Sequence, residues 1–252
     1  MLFLFDVDGT LTVPRNKMSA ETKQFFLAAK EKIRDSHIPV QFGIVSGSDL
    51  PKLQEQIGDD LFDLFDLVFS ENGLVAYGAG GRQFHSNSFY DFIGAQAYQR
   101  LVNSCMRVMS TIELPVKRGT FLELRTGMLN VCPVGRSCTQ KERDEFENYD
   151  RVHGVRKSII EQVMKDCGEE LGIQMSIGGQ ISIDVFPQDW NKTYCLWHID
   201  PQQHSTIYFF GDRIFPGGND YEIAQHPRVK SHSVSSPEET KCIVKGLLEC
   251  LF

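Results

Sequence analysis

No stretch of this sequence approaches the ~18 consecutive apolar residues of a membrane-spanning helix, so no membrane partner is expected. The first apolar segment, Leu2–Phe5, is cut short by Asp6, well before it could serve as the apolar region of a signal peptide. Basic charge is in deficit: 26 Lys and Arg against 33 Asp and Glu leave a net charge of -7, the wrong sign for a nucleic-acid or acidic-membrane partner. The seven cysteines are odd in number and lack any CxxC spacing. They read as reduced thiols, which sets the expectation of a cytoplasmic protein. The seven histidines form no HxH or HExxH pattern, which argues against a zinc site. Repeats and low-complexity segments are missing as well.

What is present begins at once. In FLFDVDGTLT a short apolar run leads into Asp6, Val7, Asp8 and Gly9. A run apolar at every position is the signature of a strand buried on both faces, and Gly9 allows a tight turn directly after it. An acid at the end of such a strand is costly without a partner. In open α/β sheets that strand end is also where ligands bind. Ser19 caps a helix carrying Phe25, Phe26, Ala29 and Ile33 at helical spacing. IPVQFGIV reads as a second buried strand ending in Ser46-Gly47-Ser48, followed by a helix from about Asp49 and a short strand LVFSENG. That alternation predicts a parallel sheet with crossover helices.

Near Gly78, Gly80 and Gly81 the rhythm stops, which suggests a boundary. The next segment reads as one long helix over 89–109, two alternating strands (TFLELR and MLNVCP), helices from Gln140 to about Tyr149 and from about Val155 to Leu171, and a hairpin turning at Gly178-Gly179. After Pro187 the α/β rhythm returns, and the last helix starts at Ser236-Pro237. The expected architecture is a Rossmann-like α/β parallel-sheet core formed by residues 1–81 and 188–252. An α+β cap is inserted into it over 82–187.

STIYFFGD places Asp212 at the end of another apolar strand. If that strand neighbours the first, Asp6 and Asp212 face one crevice, and hard carboxylate oxygens there suit Mg²⁺ and phosphate. Asp220 reads equally well as the cap of a following helix and as a second-shell metal ligand. Ser46, with the backbone N–H groups before a helix, would make a phosphate cradle. Lys192, where the chain returns to the core, could neutralise a phosphoryl oxygen.

DVDGT at Asp6–Thr10, Ser46, Lys192 and Gly211-Asp212 resemble the four ordered motifs of the haloacid dehalogenase superfamily, mostly Mg²⁺-dependent phosphoryl-transfer enzymes. The resemblance implies that Asp6 is the nucleophile that becomes an aspartyl-phosphate and that Asp8 is the general acid and base. It also implies that Asp6, Asp8 and Asp212 hold the metal. Arg125, Arg136 and Arg143, clustered in the insert of an acidic chain, suit bidentate phosphate recognition. Two phosphate-binding groups argue for a substrate carrying two phosphates. A Mg²⁺-dependent sugar-phosphate phosphatase is the alternative, although it needs only one such group.

FLELRTGMLNVCPVGRSC, SIGGQISIDVFP, WNKTYCL and GDRIFPGGNDYEI are similar to the eukaryotic phosphomannomutase family over nearly the whole chain. That resemblance implies interconversion of mannose 6-phosphate and mannose 1-phosphate, feeding GDP-mannose synthesis. A hexose 1,6-bisphosphate would act as activator, and two copies would pair through their caps. It further implies sugar-phosphate contacts from Arg15, Arg125, Arg136, Arg143, Ser182 and Asp184. The family's Asp-Pro-Arg-Thr after the last motif reads His226-Pro227-Arg228-Val229 here, which leaves open an auxiliary cation site found in some relatives.

Overall fold

The structure, a computed structural model, describes residues 1–14 and 16–251; Arg15 lies outside them. The chain forms two compact units, Met1–Ser86 with Asp189–Phe252, and Asn87–Gln188.

In the first unit β1 (Leu2–Phe5) is buried at every position. α1 (Ala20–Ser36) is capped by Ser19, whose hydroxyl accepts from the Thr22 N–H at 3.1 Å. The spacing of Phe26, Ala29 and Ile33 turns one stripe of this helix into the core. Then come β2 (Gln41–Val45), α2 (Leu50–Ile57), α3 (Leu61–Leu64) and β3 (Leu67–Ser70). Two further strands follow, β4 (Val75–Tyr77) and β5 (Gln83–Ser86), paired antiparallel across Gly78–Gly81. The Gly-rich stretch is therefore a turn inside the first unit. The division falls at Ser86/Asn87 and not at residue 81, because β5 hydrogen-bonds to the sheet.

The second unit begins with α4 (Phe89–Ile93) and α5 (Ala95–Ser110). The single helix expected over 89–109 is broken at Gly94, whose φ of 78° no helix tolerates. Next are β6 (Leu122–Leu124), β7 (Leu129–Val131), α6 (Gln140–His153) and α7 (Val155–Val163). After Val163 the helix widens into a π turn, Met164–Gly168, so the regular part stops short of Leu171. β8 (Ile173–Gly178) and β9 (Ser182–Pro187) form the hairpin, and the four strands make an antiparallel sheet ordered β6-β7-β9-β8.

Back in the first unit, a 3₁₀ helix spans Lys192–His198. β10 (Ile207–Gly211), α8 (Tyr221–Ala224), β11 (Val229–Ser233) and α9 (Pro237–Glu249) complete it. The seven-stranded sheet runs β11-β10-β1-β2-β3-β4-β5, parallel from β11 to β3. Phenylalanines fill one face: Phe5 stacks on Phe210 at 4.8 Å and meets Phe26 edge-on at 5.2 Å, geometries that favour aromatic pairs. Because β10, β1 and β2 are adjacent and parallel, their C-terminal ends deliver Asp212, Asp6 and Ser46 to one edge of the sheet.

Candidate active site

Asp6 follows the last residue of β1 and is 4% exposed. Its backbone N–H donates to the Phe210 carbonyl at 2.9 Å, so the β1–β10 ladder continues to the acid itself. Lys192, buried at the start of its 3₁₀ helix, donates to the Asp6 carboxylate and, at 2.5 Å, to Asp220 Oδ1. Asp220 is fully buried and does not cap α8 with its side chain. The capping alternative is therefore overturned: its carboxylate takes Lys192 and, at 3.1 Å, the Arg213 N–H. Burial pushes Asp6 up to about 6; Lys192 opposes the rise and Asp220 adds to it. Burial alone would lower Lys192, but Asp6 and Asp220 outweigh it and hold the ammonium above its ordinary value.

One ligand oxygen from each of Asp6, Asp212 and Asp220 lies within 4.8 Å of the others. Burial, then the nearness of Asp220, raises Asp212. Three carboxylates are thus gathered against one buried ammonium and the exposed Arg213 guanidinium, 3.8 Å from Asp212. This surplus of negative charge on hard oxygen donors fits a divalent cation. Gly9, at φ 80°, leaves the room: a β-carbon there would stand 2.4 Å from Asp212 Oδ2. Asp8, named with the metal acids from the sequence, is not part of this group. Its Oδ1 accepts from Gln56 Nε2 at 2.9 Å.

Ser46 is buried beyond β2, and its hydroxyl accepts from the Ser48 N–H at 3.1 Å. The start of α2 is capped by the Asp49 carboxylate on the Lys52 N–H, so that N–H is already taken.

In the second unit the register sets Glu123 opposite Asn130 and Asn130 opposite Asp184, a polar row on one sheet face. Asn130, 2% exposed, donates to Asp184 Oδ1 and accepts from Arg136 Nη1, each at 2.6 Å. Glu123 binds Arg125 at 2.6 Å and Arg136 at 3.3 Å. Arg143 donates to the Arg136 carbonyl at 2.9 Å, and a Thr139–Glu142 capping box fixes the helix turn that carries it. Ser182 donates to the Gly178 carbonyl at 2.9 Å. Buried Arg156 pairs with Asp150 at 2.7 Å and donates to the Gly179 and Ser182 carbonyls at 2.8 and 3.2 Å.

The model of the eukaryotic phosphomannomutase family matches residues 29–250. The chain belongs to this family. It is 50% identical to a phosphomannomutase of Galdieria sulphuraria over 95% of this chain and 91% of that one. It is 45% identical to phosphomannomutase 1 of Dictyostelium discoideum over 97% and 95%. Among solved structures, a haloacid dehalogenase-like hydrolase from Bacteroides thetaiotaomicron aligns over 98% of each chain with TM-score 0.59 at 12% identity, which shows the shared fold.

For a phosphomannomutase, the two units divide the residues named from sequence into two sets. Asp6, Asp8, Ser46, Lys192, Asp212 and Asp220 belong to the first; Arg125, Arg136, Arg143, Ser182 and Asp184 to the second. Sequence reasoning missed Glu123, Asn130 and Gln56. Glu123 and Asn130 look like ordinary polar positions in alternating strands. Gln56 left one trace, a polar side chain beside Leu53 and Ile57 on the buried stripe of α2.

Proposed function

We propose that the protein interconverts mannose 6-phosphate and mannose 1-phosphate through a phosphoryl group carried on Asp6. A hexose 1,6-bisphosphate serves as activator and intermediate. The observation that carries this is the buried Lys192 ammonium shared by Asp6 and Asp220 beside Asp212, in a chain of the eukaryotic phosphomannomutase family. Asp6 attacks phosphorus, the bond from phosphorus to the sugar oxygen breaks, and Asp8 gives that oxygen its proton. In the return step Asp8 removes a proton from the accepting sugar hydroxyl. That oxygen attacks the phosphoryl group, and the Asp6 carboxylate leaves. Lys192 keeps Asp6 ionised and screens the phosphoryl oxygens. Asp6 and Asp212, backed by Asp220, are the residues that would hold Mg²⁺, whose charge stabilises the transferring group when bound.

A mutase must also hold the phosphate that is not reacting. Arg125, Arg136 and Arg143 supply that in the insert, with Ser182 and Asp184 for the sugar hydroxyls. Met106, Phe121, Leu122 and Pro133 line an apolar cavity of about 430 Å³ on the insert, with Met106 57% exposed; a second copy would cover this surface in a homodimer. The free thiols, five of them buried, suit the cytosol. No helix among the described residues is long and apolar enough to cross a membrane.

The test is ³¹P NMR of the protein with Mg²⁺, mannose 1-phosphate and a trace of glucose 1,6-bisphosphate. Growth of mannose 6-phosphate that depends on the bisphosphate is the expected result. Growth of inorganic phosphate alone would replace the mutase with the phosphatase.

A further inference from the structure

A phosphoenzyme that passes its phosphoryl group to a sugar must refuse it to water. Both acceptors need the same base: Asp8 would deprotonate either a sugar hydroxyl or a water molecule. Selectivity therefore depends on where the Asp8 carboxylate points before the sugar arrives.

The backbone on either side of Asp8 is tied into a turn. The Gly9 N–H donates to the Thr12 carbonyl at 2.8 Å, and the Leu11 and Thr12 N–H groups donate to the Val7 carbonyl at 2.9 and 3.0 Å. Side-chain rotation is what redirects the carboxylate. In this structure the carboxylate is outside the Asp6–Asp212–Asp220 group and accepts from Gln56.

Gln56 is unusual for the place it occupies. It is 5% exposed on the stripe that buries Leu53 and Ile57, and its carbonyl accepts from the Met18 N–H at 2.7 Å. Its amide oxygen is buried with no hydrogen-bond partner among the described residues. Leaving a buried acceptor unpaired is costly, and a leucine or methionine would fill this stripe without that cost. The amide has only its N–H donor to justify it, and that donor goes to Asp8.

We propose that Gln56 is a positioning residue, a latch that holds the Asp8 carboxylate against α2 and away from the phosphoryl group until a sugar hydroxyl competes for it. The proposal rests on the mutase reading above. In the step it suppresses, a water oxygen attacks phosphorus, Asp8 takes the water proton, and the bond from phosphorus to Asp6 breaks to release inorganic phosphate.

The test uses Gln56→Met and Gln56→Leu, both of which fill the stripe and donate nothing. Each variant is charged with glucose 1,6-bisphosphate and Mg²⁺. ³¹P NMR then gives inorganic phosphate released per mannose 6-phosphate formed when mannose 1-phosphate is added. Losing a hydrogen bond to a charged group should raise that ratio about tenfold in both variants, with the melting temperature within a few degrees of the parent. An unchanged ratio, or transfer and hydrolysis falling together, overturns the latch while the mutase reading stands. Absence of mannose 6-phosphate with the unsubstituted protein overturns the mutase reading, and the latch with it.

Discussion

Lys192 binds two buried acids at once: its ammonium donates to Asp6 at the end of β1 and lies 2.5 Å from Asp220 beyond β10. One cation thus ties Asp6, the proposed nucleophile, to the third acid of the Asp6–Asp212–Asp220 cluster. Lys192→Met should abolish most turnover, by about 10²–10³-fold for the loss of one preorganised electrostatic contact. It should also cost about 3–5 kcal/mol of stability when a chelator is present, because two carboxylates are left buried without their partner. Urea unfolding with and without Mg²⁺ measures the second effect, and Mg²⁺ should recover part of it.

The raised Asp6 makes a pH prediction with a definite sign. Its folded-state value of about 6 lies above the ordinary 3.8, so the folded chain holds more protons than the unfolded one between these limits. Its stabilising contribution is full below 3.8 and is lost as pH rises through about 6. In chelator, melting temperature against pH should show this loss for the parent protein. The Asp6→Asn variant should lack that component.

In the insert, Asn130 joins Arg136 to Asp184 with two contacts of 2.6 Å. Asn130→Val removes both and should raise KM for the hexose phosphates about 10-fold or more, as expected for contacts to charged groups. Steady-state kinetics check it, with kcat expected to change much less.

Arg156 ties the β8–β9 turn to Asp150 through the carbonyls of Gly179 and Ser182. Arg156→Met leaves the buried Asp150 carboxylate without its counter-ion, keeping only the N–H of residue 156 at 2.8 Å, at a cost of about 3–5 kcal/mol. The loosened turn leads directly into β9, which carries Ser182 and Asp184, so KM should rise as well. Chemical denaturation and kinetics on the same preparation read both effects.

Much of the candidate site at the sheet edge was legible because burial and charge conflict there. Asp6 and Asp212 end fully apolar runs, and no pairing within the run removes their cost. The two strands then proved to be neighbours. Asp220 was ambiguous from sequence, since an acid before a short helix is an ordinary cap; only the fold brings Lys192 to it. The β4–β5 pair was hidden by the glycines of its own turn, and the break at Gly94 by the apolar spacing that continues on both sides. Glu123 and Asn130 became visible only through strand register. Arg15, expected to contact the sugar phosphate, lies outside the described residues.

The central claim, that Asp6 carries the phosphoryl group between sugars, has a direct test. The protein is charged with ³²P-labelled glucose 1,6-bisphosphate and Mg²⁺, quenched in acid and digested, and the labelled peptide is sequenced by mass spectrometry. The label should lie on Asp6, be absent from Asp6→Asn, and chase into hexose phosphates when mannose 1-phosphate is added before the quench. Label on another residue, or label that passes only into inorganic phosphate, would contradict the account.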